Sequence, residues 1–264
     1  MKRLAFFVVL SALLGSTLAA AQSAFDGTWK VDMNKVDFPK KPDIFLLQNG
    51  MYACKTCTPP YEIKADGSDQ AVSGHPYFDT VAIKVLNDHA IAETDKKGGK
   101  VVATSTSTVS SDGNTVMFEF SDSSNTNGGP PVTGKGEATR VAKGPAGSNA
   151  ISGSWRTTKM EGLSDNAIVW AYKVSSDEIT MTSQTGQSYT AKLNGTDAPM
   201  KGDPGVSSVS VKMIGKDTLE ETDKRSGKVI AVFKMTVAAD GKTAKASVDD
   251  KLQNRTTEFA VTKQ

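Results

Sequence analysis

An internal repeat constrains this chain more than any other feature. Shifting the sequence by 128 residues aligns Tyr61-Glu-Ile-Lys64 with Tyr189-Thr-Ala-Lys192, and Glu93-Thr-Asp-Lys96 with Glu221-Thr-Asp-Lys224. About a third of the positions in residues 61–117 are identical across this shift, and no gap is needed. Two copies of one structural unit therefore occupy most of the chain.

Each copy is long enough to fold by itself. The first spans residues 24–141 and the second spans residues 152–264, with a linker containing Gly and Pro at residues 142–151. About 115 residues is a self-sufficient domain size. We expect two tandem domains, and a single fused barrel is the alternative.

Both copies are predicted to be strand meanders. Val81, Ile83 and Val85 alternate with Ala82 and Lys84, and this period of two is typical of a half-buried strand. Turn signals such as Asp-Gly, Asn-Gly and Ser-Gly recur roughly every ten residues, as antiparallel hairpins require. We predict an all-β fold of two tandem antiparallel meander β-barrels, with eight or nine strands in each copy and no helix after the N-terminal segment.

One hairpin in each copy is predicted in residue detail. A four-residue turn at residues 111–114 sets the register in the first copy, and the same register applies around residues 239–242 in the second. The predicted pairs are Val109–Val116, Ser107–Phe118 and Ser105–Phe120, and then Val237–Ala244, Met235–Ala246 and Phe233–Val248. Where the first copy has a small residue paired with a large one, the second copy has a large residue paired with a smaller one. This is expected where cross-strand neighbours share a packed interior.

The N-terminus is predicted to be a cleaved signal peptide. Lys2 and Arg3 precede an apolar run at residues 4–18, and Ala19-Ala-Ala21 follows as a cleavage pattern. We expect cleavage after about Ala21 and a soluble, secreted or periplasmic product without a membrane span. The chain has 31 basic and 29 acidic residues, so losing two basic residues takes the net charge from +2 to 0. This balance argues against nucleic-acid binding.

The opening motif of each copy resembles a known family. Phe25-Asp-Gly-Thr-Trp29 and Ile151-Ser-Gly-Ser-Trp155 are similar to the Gly-x-Trp of the first strand in lipocalins and related calycin barrels. The resemblance implies a lipocalin-like barrel in each copy, with both tryptophans in structural roles and an Arg or Lys of the last strand across each indole. Arg140 matches that position in the first copy, and Arg255 or Lys263 matches it in the second. The repeated pattern also resembles tandem-repeat secreted bacterial proteins of unassigned function.

The two cysteines form a Cys54-Lys-Thr-Cys57 motif that the second copy lacks. In an exported protein a local disulfide is the leading interpretation, and its short loop should contribute little stability. A redox-active pair and a metal site are the alternatives. A zinc site needs two further ligands, and the only histidines are His75 and His89. We assign no metal site and no cofactor.

Two other groups of polar residues are interpreted without a functional role. His75 and His89 lie in predicted turns and are expected to be exposed. The carboxylates of Glu93-Thr-Asp-Lys96 and Glu221-Thr-Asp-Lys224 share one face of a strand and are expected to form a solvated strand end. No nucleophile accompanies either group, so no catalytic residue is assigned and an enzyme is the weakest hypothesis.

The leading functional hypothesis is non-enzymatic binding of a small, partly apolar molecule inside one or both barrels. The candidate wall residues are Ser105, Ser107, Phe118 and Phe120 in the first copy, and Trp170, Tyr172, Phe233 and Met235 in the second. The alternative is a structural or interaction module of the cell envelope with filled barrels. The reversed order of large and small residues in the cross-strand pairs of the two copies favours this alternative, because it keeps the packed volume the same.

Overall fold

Strands account for nearly all the regular structure of this protein. A computed structural model describes residues 23–264, so the predicted signal peptide at residues 1–21 lies outside the described residues. Within that range the single helical element is a 3₁₀ turn, Asp165–Ala167. Twenty strands form two nearly closed antiparallel sheets of ten strands each, which confirms the predicted fold class.

Barrel N is built from one continuous stretch of chain. Its strands are β2 (Asp43–Gln48), β3 (Met51–Cys54), β4 (Tyr61–Lys64), β5 (Gln70–Ala71), β6 (Thr80–Asn87), β7 (Ala90–Lys97), β8 (Lys100–Val109), β9 (Thr115–Asp122), β10 (Val132–Lys143) and β11 (Gly153–Glu161). The sheet order is β4-β3-β2-β11-β10-β9-β8-β7-β6-β5. The last of these ten strands in sequence order, β11, therefore lies between β10 and β2.

Barrel C is built from the two ends of the described chain. Its strands are β1 (Gly27–Asp37), β12 (Val169–Ser175), β13 (Glu178–Ser183), β14 (Ser188–Lys192), β15 (Asn194–Pro199), β16 (Ser208–Met213), β17 (Thr218–Arg225), β18 (Lys228–Val237), β19 (Thr243–Asp250) and β20 (Arg255–Lys263). The sheet order is β14-β13-β12-β1-β20-β19-β18-β17-β16-β15. Ser188 and Lys201 exchange two backbone hydrogen bonds, which bring the sheet edges together.

The first strands of the two copies are exchanged. β1 pairs with β12 and β20 of barrel C, with Trp29 opposite Trp170. β11 pairs with β10 and β2 of barrel N, with Trp155 opposite Arg140. Barrel N is therefore inserted between the first and second strands of barrel C. Each sheet combines the first strand of one copy with the remaining strands of the other.

Each barrel has a packed base. Because neighbouring strands are antiparallel, the connecting loops alternate between the two ends of a barrel. One end holds a buried tryptophan, Trp155 in barrel N and Trp29 in barrel C, which are 1% and 0% exposed. Around Trp29 pack Phe25, Leu219 and Val261. We call this end the base and the opposite end the mouth.

The mouths of the two barrels face each other. Hydrogen bonds between the barrels come from loops at the mouth ends, and Asn127 Nδ2 donates to the carbonyl oxygens of Thr185 at 3.0 Å and Gly202 at 2.9 Å. Arg255 forms a 2.7 Å salt bridge with Asp43. The two interiors therefore open toward a common polar junction.

Asp203 is the central acceptor of this junction. Its carboxylate accepts hydrogen bonds from the Tyr77 hydroxyl at 2.9 Å and from Asn125 Nδ2 at 3.0 Å, both in barrel N. It also accepts from the backbone N–H groups of Gly205 and Val206 in its own loop. One carboxylate thus orders its own loop and ties it to the other barrel.

The predicted hairpin registers are confirmed in both copies. The pairs are Val109–Val116, Ser107–Phe118 and Ser105–Phe120 in barrel N, and Val237–Ala244, Met235–Ala246 and Phe233–Val248 in barrel C. A side-chain hydrogen bond stabilises the turn at residues 111–114, as expected for aspartate in a turn. Asp112 Oδ1 accepts this hydrogen bond from the Asn114 N–H at 3.0 Å. Each sheet has ten strands rather than eight or nine. Short elements such as β5, with two residues, are too brief to show a periodicity.

Cys54 and Cys57 form the predicted disulfide bond, with Cα atoms 5.5 Å apart. The bond lies in the loop that connects β3 to β4 at the mouth of barrel N. Cys54 is 2% exposed and packs in the core of that barrel. The bond spans a sequence separation of only 3, so it restricts few conformations of the unfolded chain.

Reducing this disulfide is expected to lower the free energy of unfolding by no more than about 2 kcal/mol, because the loop it closes is short. Urea denaturation with and without dithiothreitol measures the difference, and reduction leaves the side chains unchanged in volume. Complete unfolding of the reduced protein in the absence of urea would contradict this expectation.

Candidate functional site

Four of the sequence-predicted wall residues lie together inside barrel C. The Trp170 ring meets Tyr172 and Phe233 edge-on, with ring centres 6.4 Å and 6.1 Å apart. Tyr172 and Met235 are buried, whereas Trp170 and Phe233 keep part of their surface accessible. Trp170 and Tyr172 are two residues apart on β12, and alternation along the strand puts both side chains on the interior face. The same holds for Phe233 and Met235 on β18.

The four wall residues predicted in the first copy lie across the β8–β9 hairpin of barrel N. Ser105 and Ser107 face Phe120 and Phe118, and all four are half-buried. Phe118 lies opposite Gly136 on β10, where a Cβ atom would be 2.3 Å from the Phe118 ring. The phenylalanine ring therefore fills the space that a side chain at this position would need.

An acidic pair lies on the interior face of β17, next to the aromatic cluster of barrel C. Glu221 is 7% exposed and pairs with Val211 on one side and Phe233 on the other. The Tyr189 hydroxyl donates a hydrogen bond to Glu221 Oε2. Two residues on, Asp223 Oδ1 is buried without a hydrogen-bond partner. Burial raises the pKa of Asp223 to about 6 and raises the pKa of Glu221 well above its usual value.

The same arrangement recurs in barrel N. The Tyr61 hydroxyl donates to Glu93 Oε1 at 3.1 Å, and Asp95 Oδ1 is buried without a partner. Burial raises the pKa of Glu93, and burial followed by the charges of Glu93 and Asp122 raises the pKa of Asp95 to about 8. The pattern Tyr-Glu-Asp is thus an interior feature of both barrels.

The expectation that these carboxylates form a solvated strand end is wrong. Glu93 has the same strand parity as Ile91, which is 3% exposed, and Glu221 has the same parity as Leu219, which is 0% exposed. Because side chains alternate between the two faces of a strand, a carboxylate two residues from a buried apolar residue is expected to face the interior. Sequence reasoning missed the site because it assumed that charged side chains face solvent.

The expectation that both histidines are exposed is also wrong. The His75 ring stacks on Phe78 with centres 4.5 Å apart and meets Tyr61 edge-on at 5.6 Å. Burial lowers the pKa of His75, and its Nε2 atom is buried without a partner. His89 Nδ1 lies 3.2 Å from the carbonyl oxygen of Val109. Both turns fold back onto the barrel instead of pointing into solvent.

A cation lies across each base tryptophan. Arg140 Cζ is 3.9 Å from the Trp155 ring centre, and Lys263 Nζ is 4.9 Å from the Trp29 ring centre. Because the first strands are exchanged, Arg140 covers the tryptophan of the second copy. Of the two candidates that the sequence left open for the other tryptophan, Lys263 takes the position, while Arg255 lies at the mouth.

Comparison with known proteins assigns this chain to no family. A scan against protein-family models finds no match, and a search of the curated proteins finds no relative. In the described range, no helix is long and apolar enough to cross a membrane. Residues 23–264 also contain no group of three or more His, Cys, Asp or Glu placed to hold a metal ion.

Proposed function

We propose that this protein binds a small, partly apolar molecule, without catalysis, in the interior of barrel C. The observation that carries the proposal is the aromatic cluster of Trp170, Tyr172 and Phe233. Apolar and aromatic side chains beside a few placed polar groups are the usual lining of small-molecule sites. Met235 is fully buried and belongs to the core against which Trp170 and Phe233 pack.

Two buried polar atoms without a hydrogen-bond partner support a binding role for the interior of barrel C. Trp170 Nε1 and Asp223 Oδ1 are both buried without a hydrogen-bond partner. Buried polar groups are normally paired, because leaving one unpaired costs about 1–3 kcal/mol. A ligand with one polar group would satisfy such atoms while its apolar part lies on the aromatic wall.

The architecture and the disulfide support a lipocalin-like, exported protein. A tryptophan covered by a cation closes the base of both barrels, as the resemblance of the opening motifs implies. A disulfide persists mainly in oxidising compartments, which fits the predicted signal peptide and a secreted or periplasmic location.

A second candidate function is an interaction module. A groove of about 350 Å³ lies on the outer face of β8–β11, and a groove of about 440 Å³ lies at the matching place on β18–β20 and β1. Phe118 in barrel N, and Trp170 and Phe233 in barrel C, pack against the buried cores, which favours filled barrels. The binding experiment below separates the two candidates, because an interaction module needs no interior ligand.

The neutral fluorophore N-phenyl-1-naphthylamine is expected to bind with saturation to the purified protein. Trp170→Ala and Phe233→Ala should each weaken this binding at least tenfold, because each removes one ring of the wall. A fluorescence titration measures the affinity. Phe120→Ala, in barrel N, is the matched control and should leave it unchanged. Absence of saturable binding, or equal affinity in all three variants, would overturn the proposal and favour the interaction module.

A further inference from the structure

The aromatic wall of barrel C and its acidic pair form one continuous surface. Phe233 is the direct cross-strand neighbour of Glu221, so the edge of the aromatic cluster adjoins a carboxylate. Asp223 follows on the same interior face, two residues toward the mouth. The Trp170 ring lies edge-on to Phe233. A molecule on the aromatic rings would therefore meet a carboxyl group at their border.

No cationic side chain of the described residues neutralises this acidic pair. The salt bridges found in residues 23–264 involve neither Glu221 nor Asp223. The two arginines at the mouth are engaged elsewhere, since Arg225 Nε donates to the Gly205 carbonyl at 2.6 Å and Arg255 pairs with Asp43. Within the part of the chain that the structure describes, the pair therefore has no salt-bridge partner.

We propose that barrel C selects a small primary amine that carries an aromatic or other apolar group. The ammonium would lie between Asp223 and the aromatic rings, where a carboxylate and the faces of tryptophan, tyrosine and phenylalanine all attract a cation. The apolar group would lie on Phe233 and Trp170, the two rings that keep accessible surface. This inference rests on the proposed binding function and adds the chemical class of the ligand.

Barrel N has the same acids but not the same wall, so the selectivity is confined to one barrel. Ser105 and Ser107 stand where barrel C has Phe233 and Met235. Asp43 stands opposite the base tryptophan of barrel N, where barrel C has Trp170. The rings beside the acids of barrel N are instead those of Tyr52 and Tyr61, at other positions around the barrel.

The charge at the site supports one ammonium group. The groups that face the pair are the Tyr189 and Tyr172 hydroxyls from β14 and β12, Asp203 from the mouth loop and Tyr77 from barrel N. A side-chain hydrogen bond joins Glu221 to Asp223, and burial raises the pKa of both groups. Because the pKa of Asp223 is about 6, this carboxyl group carries a negative charge at pH 7.5. Protonation of Asp223 at lower pH removes that charge.

Phenethylamine is the probe that tests this proposal, with 3-phenylpropan-1-ol as the neutral analogue. Calorimetric titration at pH 7.5 should show binding of the amine at least tenfold tighter than that of the alcohol. Asp223→Asn should weaken amine binding at least tenfold and reduce the preference for the amine over the alcohol to about twofold or less. Asp95→Asn, the equivalent change in barrel N, is the matched control and should leave both affinities unchanged.

The unmodified protein provides a second measurement that needs no variant. Amine affinity should fall about tenfold between pH 7 and pH 5, because a carboxyl group with a pKa of about 6 loses most of its charge over that interval. Binding of the naphthylamine without preference for amine over alcohol would overturn the amine inference alone. Failure of both probes to bind would overturn the proposed function as well.

Discussion

Replacing Asp95 with asparagine is expected to raise the free energy of unfolding at pH 8 by about 3 kcal/mol and to change it little at pH 4. Burial and two neighbouring carboxylates raise the pKa of Asp95 from 3.8 to about 8 in the folded protein. The folded state therefore holds this proton more tightly than the unfolded state does. The contribution of Asp95 to stability is most favourable below about pH 4 and is lost as the pH rises toward 8.

Asparagine carries no charge at any pH, so the gain appears only where aspartate would ionise. The full shift in pKa corresponds to about 6 kcal/mol, and the expected gain is smaller because Asp95 keeps accessible surface that water screens. Urea denaturation at both pH values, without added ligand, measures the difference.

Asp112 offers a control of the opposite kind. Hydrogen bonds from Ser110 and Asn114 lower the pKa of this exposed carboxyl group. Asp112→Asn should therefore bring no gain at pH 8. A gain in Asp95→Asn that persists unchanged at pH 4, or an equal gain in Asp112→Asn, would show that burial of Asp95 is not its cause.

Replacing Trp155 with alanine is expected to cost about 3–5 kcal/mol of the free energy of unfolding. The indole is 1% exposed, and its Nε1 donates a 2.8 Å hydrogen bond to the Ile151 carbonyl. Arg140 covers the ring and donates to the carbonyl oxygens of Ser152 and Ala150, both at 2.7 Å. The substitution leaves a cavity at the base and uncovers the guanidinium that held the connection into β11.

Trp170→Ala is the matched control for this loss. Trp170 keeps accessible surface and its Nε1 has no partner, so truncating it removes fewer contacts and no hydrogen bond. Equilibrium unfolding followed by far-ultraviolet circular dichroism compares the two variants. A cost for Trp155→Ala no larger than that for Trp170→Ala would contradict the structural role of the base tryptophan.

Local chemistry explains which parts of the fold were predictable from the sequence. The β8–β9 and β18–β19 hairpins were predicted to the residue, because a four-residue Asp-Gly turn fixes the register of the strands beside it. The Cys54–Cys57 bond was predictable because the two residues are neighbours in the chain. These features depend on contacts across a few residues.

The exchange of the first strands between the two barrels could not be predicted from local sequence signals. β1 and β11 both begin with Gly-x-Trp, so the motif alone does not indicate which barrel each strand joins. Long-range strand pairing determines which barrel β1 joins. Examples are the pairs Trp29–Trp170 and Val31–Val261. The interior carboxylates were missed for a different reason, because their raised pKa values arise from burial that only the closed barrel creates.

The insertion of barrel N between β1 and β12 has a consequence for synthesis and turnover. Pairing of β1 with β20 joins strands from opposite ends of the described chain, and the Gln264 N–H donates to the Thr28 carbonyl at 2.8 Å. Because β1 is synthesised well before β20, it stays unpaired on that side until β20 is made. Proteolytic loss of residues 27–37 would spare every strand of barrel N but leave β12 and β20 as bare edges. Such edges are templates for a β-strand from another molecule.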